Sequence, residues 1–124
     1  MIHPAIQVAV GGGIGAVARY GVNVAALRVF GSGFPVATLL VNVIGSFVMG
    51  VLVTVLADRG ANHLAPLLMT GVLGGFTTFS AFSLDTVSLW TRGAHGIAAV
   101  YVVASVALSL AALVAGIAAA RAVA

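Results

Sequence analysis

Cysteine, lysine and glutamate are all absent from the 124 residues. Five arginines and two aspartates supply every Lys/Arg/Asp/Glu-type charge, 6% of the chain, against roughly a quarter in a soluble domain. A soluble monomer is therefore excluded. A disordered chain is excluded too, because it would be polar and rich in charge. Without cysteine there are no disulfides, no thiolate chemistry and no cysteine-based metal sites. Without glutamate, only Asp58 and Asp85 remain as acids, one in a loop and one late in an apolar stretch. No acidic group sits centrally to carry a proton or a cation across a membrane. The net charge is +3, but the arginines at 19, 28, 59, 92 and 121 are scattered and form no basic patch. No nucleic-acid partner is expected.

What is present is apolar: 62% of residues are hydrophobic and the mean hydropathy is +1.26. A membrane-spanning helix takes about 20 predominantly apolar residues, and four such stretches run over 4–27, 34–57, 64–90 and 94–120. Gly31-Ser32-Gly33 with Pro35, the segment 58–63, and Thr91-Arg92-Gly93 punctuate them. The expected fold is an all-α membrane protein with four transmembrane helices and a single domain over 1–124, with nothing left for a soluble domain. The runs are solid rather than alternating, which excludes a barrel. A cleaved leader is not expected. Ala16-Val17-Ala18 fits a cleavage site, but no Lys or Arg precedes the apolar run and Gly11-Gly12-Gly13 interrupts it.

Orientation follows the Lys/Arg bias between the two faces. One face holds Arg59 and Arg121; the other holds Arg28 and Arg92, with Arg19 toward that end of the first helix. Either the small sample hides a bias, or the chain inserts both ways and pairs as an antiparallel homodimer. Four short helices alone barely enclose a sealed polar path, which also argues for oligomerisation. Gly11 and Gly15, and Gly71 and Gly75, are spaced for close helix packing.

Polar residues at membrane depth follow a period of four. Thr38, Asn42 and Ser46 share one face of the second helix, and Tyr101, Ser105 and Ser109 share one face of the fourth. Either stripe alone is also met by ordinary interhelical hydrogen bonds or by hydroxyls bonded to their own backbone. Two stripes of one period in so apolar a chain point to a polar track. The third segment, Gly71 through Ser83, places glycines and threonines where a continuous helix wants neither. It is expected to break near the membrane midplane, which is tolerated only where backbone lines a cavity or binds an ion. Phe79 and Phe82 follow on one face, and phenyl edges carry partial positive charge. Hydroxyls, an amide N–H and ring edges all suit a small anion.

The motifs in order are Gly11-Gly12-Gly13-Ile14-Gly15-Ala16-Val17-Ala18-Arg19-Tyr20, the run TLLVNVIGSFVMG over 38–50, and GVLGGFTTFSAFS over 71–83. They resemble the GGxxGAxxRY, TxxxNxxGxFxxG and GxxGGxTTFSTFS motifs of the CrcB/Fluc fluoride channels. Ala81 departs from the pattern, where many relatives carry threonine. The resemblance implies an antiparallel, dual-topology homodimer with two fluoride pores in a bacterial plasma (inner) membrane. It implies Asn42 as the pore amide, Phe79 and Phe82 as the ring edges, and Thr38, Tyr101, Ser105 and Ser109 as the polar track. Gly74 and Thr77 match positions whose carbonyls, two from each subunit, hold a central structural sodium ion. Arg19 and Asp85 match an arginine near the aqueous vestibule and an acid near the pore mouth. The implied function is passive efflux of fluoride trapped in the cell, which lowers fluoride toxicity.

The rival readings fare worse. A proton-coupled small drug exporter depends on a membrane-embedded glutamate, which is absent. A non-transporting assembly subunit explains the glycines but not the two stripes and the break. No enzyme is expected: His3, His63 and His95 fall near segment ends without metal-ligand spacing. Trp90 and Tyr20 read as interface anchors.

Overall fold

The computed structural model describes residues 2–123, and all its regular structure is helical. Helix α1 (Pro4–Phe30) opens on two signals: Pro4 in its first turn, and His3, whose Nδ1 accepts from the Ala5 N–H at 3.1 Å. It ends at Gly31, whose φ of +75° a side chain would resist. The Gly31 N–H still reaches the Leu27 carbonyl, so the helix continues beyond the 27 predicted from hydropathy.

Helix α2 (Val36–Asp58) follows Pro35. A short 3₁₀ turn (Asn62–Leu64) leads into a π-helical stretch (Pro66–Leu73), then α3 (Gly74–Phe76), α4 (Phe79–Thr91) and α5 (His95–Val123). In the π stretch the Gly74 N–H bonds the carbonyl of Met69 five residues back, a rare form frequently met at functional sites. Among the described residues four segments are long and apolar enough to span a membrane: α1, α2, Asn62–Thr91 and α5.

Two seams hold the helices together. Along the first, α1 lies on the π stretch and α3. Gly11 meets the main chain of Leu67, Gly71 and Val72; Gly15 meets that of Val72 and Phe76; Gly75 meets Gly12 and Ala16. The two glycine pairs singled out by their spacing thus face one another. A methyl group on Gly11, Gly15 or Gly75 would overlap backbone, which cannot swing aside as a side chain can. The second seam joins α2 to α5. There Gly50 rests on the main chain at Leu113 and Ile117, and Gly116 rests on Phe47 and Val51.

The buried centre consists of Leu89, Ala98 and Tyr101, with Phe34, Leu39, Phe82 and Ala94 packed against it. The outer faces stay apolar: Ile14, Val17, Val103, Leu110 and Val114 are all exposed. Helices apolar all round are suited to a hydrocarbon surrounding.

Candidate functional site

The site is built around two residues that are not helical. After Phe76 the backbone opens: Thr77 has φ −85°, ψ 158° and Thr78 has φ −153°, ψ 121°. Helix resumes at Phe79, where the Thr78 hydroxyl accepts from the Ala81 N–H at 3.1 Å. That is an ordinary threonine N-cap. The Thr77 N–H and hydroxyl both donate to the Leu73 carbonyl, each at 2.9 Å.

An extended dipeptide inside an apolar bundle leaves main-chain groups in need of partners. Asn42 on α2 supplies them. Its Nδ2 donates to the Thr78 carbonyl at 3.0 Å and its Oδ1 accepts from the Thr78 N–H at 2.8 Å. The paired bonds fix the orientation of the amide. They use one of the two Nδ2–H donors and leave the second free to bond elsewhere. On the other side Arg19 donates from Nε to the Gly75 carbonyl at 3.0 Å.

Beside this opening lies a cavity of about 450 Å³. Asn42, Ser46, Thr77, Thr78, Ser105 and Ser109 bring polar groups to its wall, with the rings of Phe79 and Phe82 and the apolar Met49, Val106, Leu110 and Leu113. No charged residue among those described lines it. Ser105 is buried, and its hydroxyl has no hydrogen-bond partner among the described residues. A buried hydroxyl without a partner is costly, and here it stands in the wall of a cavity able to hold one.

A second cavity of about 300 Å³ lies toward the α1–α2 loop, with Asn23, Thr38, Asp85, Ser88 and Arg92 in its wall. Asp85 Oδ2 accepts from the Thr38 hydroxyl at 2.7 Å and from the Tyr101 phenol at 3.0 Å. Aromatic rings run between the two cavities. The Phe79 and Phe82 centroids are 5.5 Å apart, Phe82 and Tyr101 are 5.3 Å apart, and Phe34 meets Tyr101 edge-on at 5.5 Å. Tyr101 is wholly buried, whereas Phe79 is 78% exposed.

The sequence-predicted residues therefore separate into groups. Asn42, Phe79, Phe82, Ser105 and Ser109 come together around the larger cavity. Thr38 and Tyr101 gather on Asp85 instead. Arg19 and Gly74 are in the wall of neither cavity, while Thr77 stands at the opening of the backbone. Two of the histidines serve helix ends: His3 caps α1, and His95 stacks on Trp90 with centroids 3.9 Å apart. No cluster of three or more metal-ligating side chains occurs among the described residues.

Sequence reasoning missed Thr78 as the main-chain anchor, Phe34 as the end of the ring series and Gly45, which lies against the Thr77 methyl. The threonine doublet was visible. Its tie to Asn42, 36 residues away, was not.

Comparison with known proteins places this architecture. Residues 6–117 match the family described as CrcB-like protein, Camphor Resistance (CrcB). A relative from Cereibacter sphaeroides (strain ATCC 17029), named fluoride-specific ion channel FluC, is 64% identical over 98% of this chain and 97% of its own. Relatives of the same name from Paracoccus denitrificans and Ruegeria sp. are 57% and 54% identical, over 94% and 99% of this chain and 94% and 98% of their own. These relatives are named as channels and not as enzymes. Four spanning segments and a family match over nearly the whole length make this a multi-pass membrane protein, and the chain belongs to the CrcB-like family.

Proposed function

We propose that the chain is a fluoride-selective channel of the cell membrane, a bacterial plasma membrane, through which cytoplasmic fluoride leaves passively. In this reading two copies pair antiparallel, having inserted in both orientations, and form two pores. The result is lower fluoride toxicity.

The observation that carries the reading is the buried, unpartnered Ser105 hydroxyl in an uncharged cavity beside Asn42, Ser109 and two phenyl rings. Fluoride is strongly hydrated, so a pore must replace its water with donors while holding it weakly enough to let it go. Ser105, Ser109 and the free N–H of Asn42 are such donors, and the edges of Phe79 and Phe82 add partial positive charge. A full cationic side chain at the narrowest point would trap the anion; none lines this cavity. Thr38 and Tyr101 carry the track onward, and Asp85 stands near its mouth with its charge held by their hydroxyls. The opening at Thr77-Thr78 is the midplane break of the third helix in this reading, and Arg19 is the arginine near the vestibule.

A central structural sodium ion fits the donor chemistry of the break. Main-chain carbonyls suit a hard cation. Thr77 is extended, outside the helical ladder, and its carbonyl accepts no bond among the described residues. The Gly74 and Thr77 carbonyls would hold the ion, with the same pair from the second copy. Such an ion supplies fixed positive charge that ties the two copies together.

The test is a fluoride-electrode efflux measurement on purified protein in liposomes, with chloride as control. Fluoride efflux far above chloride efflux is expected; equal fluxes, or none, overturn the reading. Dual insertion has its own test, made simple by the missing cysteines. Ser32→Cys, in the α1–α2 loop, should be labelled to about half by an impermeant thiol reagent added outside native vesicles, because the two orientations expose it on opposite faces. Full labelling or none refutes it.

A further inference from the structure

Arg19 is the sixteenth of 27 residues in α1, so at 1.5 Å per residue it lies about 23 Å along a helix of about 40 Å. An arginine that deep in a membrane span is costly and persists where a partner compensates it. Its partner is neither acid: Nε donates to the Gly75 carbonyl at 3.0 Å, and the side chain is half-buried.

Gly75 is the second residue of α3, two before the backbone opens at Thr77. Glycine lacks the Cβ that restricts a residue's own backbone, so the Gly74-Gly75 pair depends on contacts from outside to keep one conformation. α1 supplies them along one face: Gly12 and Ala16 close against Gly75, and Arg19, one turn on from Gly15, holds the Gly75 carbonyl. On the far side of the opening Asn42 holds Thr78 by both main-chain groups. The extended dipeptide is thus gripped from α1 before it and from α2 after it.

We infer that Arg19 is a positioning residue for the ion path. It acts through the Nε–H donor on Gly75 and the orientation of the peptide leading into Thr77, not through its charge as an attractor of anions. It lines neither cavity. The inference rests on the fluoride-channel reading for its functional consequence.

Position and charge separate by substitution. In Arg19→Gln the side-chain Nε2 occupies the place of the arginine Nε, three bonds from Cβ, so the donor stays and the charge goes. In Arg19→Lys the charge stays, and a methylene stands where the donor was. Arg19→Leu loses both. Two measurements apply to each purified variant: fluoride and chloride efflux from liposomes, and hydrogen–deuterium exchange over 74–81, with thermal melting in detergent to separate local from global loss. Arg19→Gln should keep fluoride efflux and exchange protection within ~fivefold of wild type. Arg19→Lys and Arg19→Leu should lose ~10- to 100-fold in fluoride efflux, in the fluoride-over-chloride ratio and in protection of 77–81, the range of a lost charge-assisted hydrogen bond. The inference is overturned if Arg19→Lys conducts like wild type while Arg19→Gln does not, or if Arg19→Leu leaves exchange over 77–81 unchanged. Wild-type protein that moves no fluoride refutes the channel reading, and the exchange series then still decides whether Arg19 holds the break. If Arg19→Gln does not fold, Arg19→Leu decides: lost local protection supports the grip and kept protection refutes it.

Discussion

The two seams of the bundle use glycine differently. Along α1 and the stretch from Pro66 to Phe76, Gly11, Gly15, Gly71 and Gly75 bring main chain against main chain over about two turns. Along α2 and α5 the same device works at one end only, where Gly50 and Gly116 close on the facing backbone. Toward the other end Asn42, Ser46, Ser105 and Ser109 line a cavity instead. The first seam is a scaffold, and the second is a scaffold that opens into a cavity. Close backbone approach is the main attraction open to helices in lipid, where burying apolar surface gains little. Glycine contacts elsewhere thus hold the helices that border the cavity.

That contrast is breakable, and the largest effect should come from the first seam. Gly15→Val drives a branched side chain into the Val72 carbonyl. It is expected to cost more than ~4 kcal/mol, seen as loss of a monodisperse species in size-exclusion chromatography. A well-behaved, conducting Gly15→Val protein would show that the seam is not tight.

Next come changes at the cavity that leave both seams alone. Phe79→Ile and Asn42→Asp should bring fluoride efflux down to the level of protein-free liposomes while size-exclusion elution stays that of wild type. Asn42→Asp also replaces the Nδ2 donor to the Thr78 carbonyl with an oxygen. Normal conduction by either variant would show that the path runs elsewhere.

Ser105→Ala sharpens the comparison, because its two effects carry opposite signs. Removing a buried hydroxyl without a partner should leave stability unchanged or raise it by up to ~1 kcal/mol. Fluoride efflux should fall by ~10-fold, the worth of one hydrogen bond to an ion. Unchanged efflux in a more stable protein would make Ser105 a packing residue and nothing else.

The smallest effect is expected at Thr54, whose hydroxyl donates to the Gly50 carbonyl one turn back on its own helix at 3.0 Å. Thr54→Val should change stability by less than ~0.5 kcal/mol and leave efflux as it is. A large loss there would mean that back-bonded hydroxyls matter as much as those facing the cavity.

Much of this was legible in the residues. The four spans follow from apolar runs, because a backbone surrounded by lipid must satisfy its own hydrogen bonds and a helix does so within one segment. The glycine pairs at 11/15 and 71/75 follow from a spacing of four. Asn42, Ser105 and Ser109 stand out in the sequence because polar groups are scarce and recur every four residues along two helices. The ends of α1 and α5 lay beyond the predicted 27 and 120. Helices continue until a local signal stops them, as Gly31 does with its positive φ, and hydropathy marks the apolar core of a helix rather than its ends.

Composition and spacing by themselves determined that the chain is helical, membrane-embedded and striped with polar groups on two faces. Each of these depends on residues near one another in sequence, or on none in particular. Only the tertiary structure decided how the stripes divide. Thr38 and Tyr101 go to Asp85, whereas Ser105 is left facing an uncharged cavity. Asn42 serves the Thr78 backbone before anything else, and Arg19 reaches Gly75 across 56 residues. A hydrogen bond has a reach of about 3 Å, and which of several equivalent partners falls within it is set by how helices far apart in sequence settle against one another.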